Sequence, residues 1–558
     1  MEDIKIVELP EKSSIDVTNH LIVEDEDGTK KVYVKHFRSL LISSLYFNNI
    51  EELKNSTSAS LKEGDICETL GYYTPGDGGG AKYRITYNPG AVEDGGLVHY
   101  LSYSDTLRAE IILSDNINVH QFGAKGDGVT DDTYSIQLAI DNCNNRTIEF
   151  INYKKYIVRS PIKINKNSII INGNGAALCP YYVNGINITP ENDGEIVNDI
   201  TINKLYLDCE KAVNGIYVFK ASKVDINSCK FSNVTNTGID IRNSEFVNIN
   251  YSDFTGNNTS SLISIDGDNA TSDDVYNRFI NITDCNFNNF YKAINILSAG
   301  TTGDINATIN VDNCNYLSTA NNSCCIYVAC PVEIVTIYSN TVMSVDTFLY
   351  FGGISKGDIS CRGISCINTN KVFDIGTTQG VLHLDGSIKT SPSSILFENM
   401  NGKLRSNVSW DLLSNGALFN NKPNGDIYDS IHPYNYTEGR GYSISNSKLV
   451  IRECRNLHVD WTSSTNNINE IQNGIKGQLL YIKSTTSKNI ISVPNKIILS
   501  DSAIKLGPYR GILMRYDGSK WVQIQYEDST ILQTVSEDLD IDYSRISFDT
   551  SEIIPAEK

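Results

Sequence analysis

The chain has 558 residues, with 40 Gly against 13 Pro, 13 Cys and a formal net charge of −19. That charge argues against nucleic acid or an anionic membrane as partner, and against a strongly acidic polymer unless local Lys or Arg compensates. No 18-residue apolar run marks a membrane span, and the opening Met1-Glu2-Asp3-Ile4-Lys5 lacks the basic-then-apolar pattern of a secretory signal.

The first elements are small. Residues 21–24 and 31–34 alternate on either side of an acidic Asp-Gly turn, which predicts a hairpin. A helix-like apolar spacing follows over 36–54, so residues 1–55 read as a separate module and 55–60 as a linker. Residues 56–115 form a linker and hairpin region containing the glycine-rich run 71–85. That run lacks the Lys-Ser/Thr pair of a phosphate loop and no helix follows it, so it reads as a tight turn. Thr130 is expected to cap a helix, with Asp131 and Asp132 in its first turn and Ile136, Ile140 and Cys143 on one apolar face. Such a helix can cover the open end of a solenoid.

The solenoid is written in the next segment. A phrase of the form apolar-x-apolar-x-x-small-x-apolar begins at Ile200, Val224, Val247, Ile280, Ile309, Val335 and Ile359, at offsets of 24, 23, 33, 29, 26 and 24 residues. A self-similar period of this size with strand-type alternation inside each unit predicts a β-solenoid. The small inward position is Leu205, Cys229, Ser252, Cys285, Cys314, Asn340 and Ile364. The closing apolar residue is Leu207, Phe231, Phe254, Phe287, Tyr316, Val342 and Cys366. A second strand points Ile216/Val218, Ile239/Ile241, Ile263/Ile265, Ile294/Ile296, Ile326/Val328, Phe348/Tyr350 and Phe373/Ile375 inward. The outward ladders are then Thr201, Asp225, Asn248, Asn281, Asn310, Thr336, Ser360 on the first strand and Tyr217, Asp240, Ser264, Asn295, Tyr327, Leu349, Asp374 on the second. Cysteines at inward positions act as small hydrophobes and read as free thiols, which suits folding in a reducing cytoplasm.

Strand-like runs weaken toward residue 420, and 421–440 reads as a connector. Short strands across 441–530, with an Asp517-Gly518 hairpin turn, suggest a β-sandwich used for trimerisation or glycan binding. Residues 531–558 form an acidic tail.

Three stretches carry a family resemblance. The run 122–140, Phe-Gly-Ala-Lys-Gly-Asp-Gly-Val-Thr-Asp-Asp and the residues after it, resembles the opening signature of pectate-lyase-like right-handed β-helix proteins. The run 71–85 resembles a segment found ahead of that helix in bacteriophage tailspikes, and residues 1–55 are similar to virion-attachment modules of phage tail proteins. The resemblance implies an all-β fold: a right-handed parallel β-helix over 116–420 with a capping helix, an N-terminal attachment module and the C-terminal β-domain. It implies a homotrimer in the virion tail, made in the host cytoplasm and joined through its N-terminal module to other tail, baseplate or portal-proximal proteins. It also implies adsorption to a host surface polysaccharide, often with its cleavage; no membrane insertion, cofactor or metal is expected.

Glycoside hydrolysis needs two carboxylates roughly 5–9.5 Å apart. Asp240 and Asp266 occupy nearby places on consecutive rungs, and Glu245 is reachable from Asp240 across a corner. Tyr217 and Tyr327 offer rings for sugar contact, while Arg242 and Asp268 offer polar contacts. The unit starting at Val247 holds the largest insertion, 266–278, and insertions on a rigid scaffold are where function concentrates. Two other readings compete: a binding spike whose ladders are only scaffold, and a lyase, although no compact calcium loop is present. Esterase chemistry lacks its Gly-x-Ser-x-Gly elbow.

Overall fold

The computed structural model describes residues 20–25, 28–33, 45–57, 61–192, 194–267, 278–298, 308–352, 357–376, 380–390, 395–400, 403–412, 427–429, 434–436, 442–451, 456–461, 466–474, 479–484, 486–506 and 511–527. The chain divides into two compact units. One holds residues 1–162, 166–181 and 202–205, and the other holds 163–165, 182–201 and 206–558. Asp268, Asp273, Asp274 and the acidic tail lie outside the described residues.

In the first unit, His20–Asp25 pairs antiparallel with Gly28–Tyr33, the hairpin expected from the Asp-Gly turn. A five-stranded sheet follows, in the order Leu45–Phe47, Ile66–Thr69, Lys82–Tyr87, Ser104–Ile111 and Val98–Leu101. Its core joins Ile50 and Leu53, from the short helix Ile50–Lys54, to Cys67, Tyr83, Ile85 and Ala109. This core crosses position 55, where the sequence reading placed a boundary.

The first parallel rungs come next. Thr147–Glu149 pairs in parallel with both Asn116–Asn118 and Ile169–Asn172, while Lys155–Val158 pairs with Asp127–Asp131 and Ala177–Pro180. The helix spans Thr133–Asp141, two residues later than a Thr130 cap would give, and Asp132 is its N-cap residue. Asp132 does not cap by its side chain. Its carboxylate instead accepts the N–H groups of Lys125 and Gly126, closing the preceding glycine loop. Thr130 lies in a strand, and its N–H and hydroxyl both donate to Asp127. Ile136, Ile140 and Cys143 are buried together, and the helix packs on the 3-10 turn Val119–Phe122.

The second unit holds the repeat as stacked parallel rungs. The phrase itself folds as two strands with a corner between them, so the strand read as second in each unit is the third of three. One rung, for example, is Lys223–Asn227, Lys230–Val234 and Thr237–Arg242. The corner residue is left-handed at every turn: Ser228 (φ 54°), Tyr251 (53°), Asp284 (55°), Asn313 (52°), Ser339 (55°) and Gly363 (67°). Five of these corner N–H groups donate to the following rung, as Ser228 does to Asn250 O and Asp284 to Asp312 O. These bonds offset a backbone strain of about 1–2 kcal/mol per non-glycine residue.

The corner turns the next side chain inward. Cys229, Ser252, Cys285, Cys314, Asn340 and Ile364 are all buried, as the repeat predicted. The polar members are satisfied locally. Ser252 Oγ accepts from Cys229 N, while Asn340 accepts from Cys314 N and donates to Val311 O and Tyr338 O. All 12 described cysteines are free, and burial pushes the Cys324 and Cys366 thiols up to about 12. Such thiols pack as hydrophobes and carry no nucleophile at neutral pH.

Register holds rung after rung. Val224, Val247, Ile280, Ile309, Val335 and Ile359 stand opposite one another in series. Phe231, Phe254, Phe287 and Tyr316 form a continuous interior stack with centroids 4.6–5.1 Å apart. Outside, Asn248 donates to Asp225, Asn281 to Asn248 and Asn310 to Asn281, each at 2.7 Å, so the first-strand ladder is structural. One rung differs from the sequence reading. Leu349 and Phe351 face inward, opposite Ile326 and Val328, and Tyr350 is the outward residue. The stretch Thr347–Phe351 offers apolar side chains at successive positions, so alternation alone assigns it no phase.

The C-terminal strands depart from purely antiparallel sandwich pairing. Tyr434 stands opposite Leu457 and Leu457 opposite Leu480, in parallel at offsets of 23 residues. Leu449 opposite Ile471 and Ile468 opposite Ile490 repeat the pattern at 22. These are solenoid offsets. Antiparallel pairs are mixed in: Tyr442–Ser445 with Lys448–Ile451, Lys488–Ile491 with Ala503–Leu506, and Gly511–Tyr516, which forms a hairpin with Trp521–Glu527 through Asp517.

Candidate functional site

The third strands form one parallel sheet in the second unit. Its members include Asn214–Phe219, Thr237–Arg242, Ser261–Gly267, Lys292–Ser298, Cys324–Val328, Thr347–Phe351 and Lys371–Ile375. Isoleucine, valine and phenylalanine side chains alternate inward, so the intervening residues line the outer face. In register these are Tyr217, Asp240, Ser264, Asn295, Tyr327, Tyr350 and Asp374. A parallel file two residues along begins Phe219, Arg242, Asp266 and Leu297.

At the N-terminal end of this stripe a guanidinium is paired with one carboxylate and stands one rung from a second. Arg242 Nη2 and Nε donate to the two oxygens of Asp240 at 3.1 and 3.3 Å. Asp266 is its register partner on the next rung. Burial works against the charge on Arg242, but the Asp240 hydrogen bond and the Asp240, Tyr217 and Asp266 charges outweigh it and raise its pKa. Asp240 is 5% exposed, so an outward position has become a buried one. Arg242 and its neighbours cover it: the guanidinium lies 5.7 Å from the Tyr217 ring centroid, and Tyr217 lies parallel to Phe219 with centroids 6.2 Å apart. A buried carboxylate is tolerable because a guanidinium compensates it through two bonds.

Further along, Lys292 Nζ lies 3.3 Å from the Tyr327 ring centroid and donates to Asn295 Oδ1 at 3.3 Å. Tyr327 and Tyr350 stack at 4.5 Å with an interplanar angle of 8°. Burial raises both phenols, so each keeps its proton at neutral pH. Asp374 accepts from Asn399 Nδ2 at 2.7 Å.

The structure thus brings Tyr217, Asp240, Arg242 and Asp266 together and sets Tyr327 on the same face, three rungs from Asp240, about 14 Å at strand spacing. Glu245 is elsewhere. It lies at the corner between Thr237–Arg242 and Phe246–Asn250, with its carboxylate 3.5 Å from Arg278 Nη1. Lys292 and Tyr350 were missed from sequence. Lys292 carries no motif, and Tyr350 was assigned to the interior. Among the described residues no group of three His, Cys, Asp or Glu side chains gathers into a metal-binding cluster. The three aspartates of 127–132 are spent on loop hydrogen bonds, and backbone N–H groups of Thr130 and Val129 hold Asp127 down to about 2.

Residues 116–319 match the family model "Rhamnogalacturonase A/epimerase, pectate lyase-like". Among solved structures, the chain is similar to the tailspike of Acinetobacter phage vb_AbaP_AS12, with TM-score 0.48 and 13% identity over 93% of this chain and 100% of that one. It is also similar to tailspike gp49 of Acinetobacter baumannii phage Fri1, described as a capsular polysaccharide depolymerase, with TM-score 0.46 and 12% identity over 87% and 92%. A third is the glycan biofilm-modifying enzyme WceF of Pantoea stewartii, with TM-score 0.41 and 13% identity over 77% and 57%. No curated protein matches the chain significantly. The residues that match that pectate-lyase-like model, 116–319, are among those whose strands pair in parallel, rung on rung, as in a β-helix.

Proposed function

We propose that the protein is a phage tailspike that adsorbs to a host surface polysaccharide and hydrolyses it along the third-strand face. The observation that carries this reading is the stripe itself. A straight file of aromatic, amide, hydroxyl and charged side chains runs over seven rungs of a rigid scaffold. Its length of about 29 Å suits several sugar residues of an extended chain. Asp240 and Asp266 are the pair we assign to hydrolysis, and Tyr217, Arg242 and Tyr327 contact the sugar. The two aspartates are one rung and two residues apart, which puts their Cα atoms about 8 Å apart. That Cα spacing brings the two carboxyl groups within the range that glycosidases use. One carboxylate would protonate the leaving oxygen while the other activates a water or attacks the anomeric carbon, with Arg242 orienting Asp240. Glu245, engaged by Arg278 off the stripe, has no part in this assignment. Trimerisation and virion attachment through the N-terminal residues belong to the same proposal.

A second reading is favoured by the burial of Asp240 and its two bonds to Arg242, which suit a fixed binding element in a spike that only adheres. Release of reducing ends from a panel of capsular polysaccharides separates the two. Hydrolysis predicts new reducing ends, and Asp240→Asn and Asp266→Asn should each lower the rate about 100-fold or more with binding retained. Binding without new ends would leave the adhesion reading. Ultraviolet-absorbing unsaturated products would replace hydrolysis by elimination.

A further inference from the structure

The middle of the stripe is rich in donors and holds no carboxylate until Asp374, one rung beyond Tyr350. Lys292 has no carboxylate within ion-pair distance among the described residues, unlike Arg242. Its half-buried ammonium has one neutral acceptor, Asn295 Oδ1, the face of Tyr327 and, at 5.7 Å, the ring of Tyr291, none of which carries a negative charge. Burial lowers its pKa. An ammonium that has lost water to these contacts is under-compensated. Asn295, 6% exposed, receives Lys292 through Oδ1, which turns its Nδ2 hydrogens to the other side. Tyr327 has Lys292 over its ring and Tyr350 stacked parallel to it, so a ligand meets its hydroxyl edge rather than a ring face. Tyr350 Oη lies over Gly352, where an added Cβ would come within 2.7 Å of the hydroxyl and 3.3 Å of Gly376 Cα. The absence of side chains at 352 and 376 leaves the phenol edge open. An ammonium, an amide NH2 and two phenol O–H groups in one file match an anion, whose oxygens only accept.

We propose that Lys292, Asn295, Tyr327 and Tyr350 form a subsite for a carboxylate-bearing sugar unit, so that the polysaccharide gripped by the stripe is an acidic one. This rests on the glycan-binding reading above and names its substrate class. It also answers the net charge of −19, which repels an acidic polymer unless a local cation receives it.

The test uses the full chain, a panel of acidic capsular polysaccharides, and the same polymers after carbodiimide–borohydride reduction of their carboxylates to alcohols. Calorimetry should show that reduction weakens binding about tenfold, the scale of a charge-assisted hydrogen bond. Lys292→Met should weaken binding of the acidic form by a similar factor and leave the reduced form unchanged, while Lys292→Arg keeps the preference. Melting curves of each variant separate a loss of fold from a loss of the contact. Equal affinity of the wild type for both forms, or an unchanged preference in Lys292→Met, overturns the subsite and leaves glycan binding standing. If no polymer binds in either form, glycan recognition itself falls.

Discussion

His99 is 1% exposed in the five-stranded sheet of the first unit, between the rings of Tyr72 and Tyr83. Neither ring nitrogen has a hydrogen-bond partner. Glu93 Oε1 stands 3.7 Å from Nδ1, too far for a hydrogen bond, and is itself bonded to Lys54. Burial lowers the pKa of His99, with the Glu93 charge opposing it. The unfolded chain therefore takes up a proton near pH 6.5 while the folded one does not. Stability is fully present above that pH and is lost as pH falls from about 6.5 toward the lower folded value. His120 shifts the same way, held between Asp77 O and the Tyr156 hydroxyl, so it adds to the slope. Chemical denaturation across pH 5–8 should show falling stability on acidification, and His99→Phe should flatten part of that slope. An unchanged slope would mean that His99 is protonated in the fold.

At the scale of the rung, the controlling element is the left-handed corner. Tyr251 occupies it with φ 53° and 66% exposure, whereas Asn313 holds the same corner two rungs on. Tyrosine gains little burial there and bears the full clash of its Cβ with the backbone, which Asn relieves by local hydrogen bonding. Tyr251→Asn should raise stability by about 0.5–1 kcal/mol, measured as a shift in the denaturation midpoint with an unchanged slope. A loss of stability would show that the exposed ring makes contacts worth more than the strain. The neighbouring elements set the limit on such gains. Each corner aims a small residue into an interior already filled by the Phe231–Phe254–Phe287–Tyr316 stack. Enlarging Ser252 or Cys285 would force that stack apart.

For the molecule as a whole, the proposed trimer predicts a solution mass three times that of the 61.8 kDa chain, read by light scattering. A monomer at micromolar concentration would count against it. The charge balance makes a second prediction at this scale. If the bound glycan is acidic, long-range repulsion from the net charge and short-range attraction at Lys292 act in opposite directions. Added salt should then raise the association rate and also the dissociation rate. A neutral glycan would show neither effect.

The parallel solenoid, its interior residues, the inward thiols and the Asn ladder were legible in the sequence, because a repeat states the same packing problem once per rung and like side chains answer it. What alternation could not supply was phase where every residue is apolar. Leu349 and Tyr350 exchanged places, and only the partner strand Cys324–Val328 decides between them. Nor could it supply burial on the outer face. Asp240 and Asn295 read as solvent residues, yet Arg242 and Lys292 fold back over them, because long cationic side chains lie along a flat sheet and seek acceptors on it. The stripe's residues were visible one at a time. Their grouping into an acid–guanidinium–acid cluster at one end and a donor-rich file in the middle depends on which rung lies next to which, and on insertion lengths that change the sequence distance while keeping the spatial one near a single strand spacing.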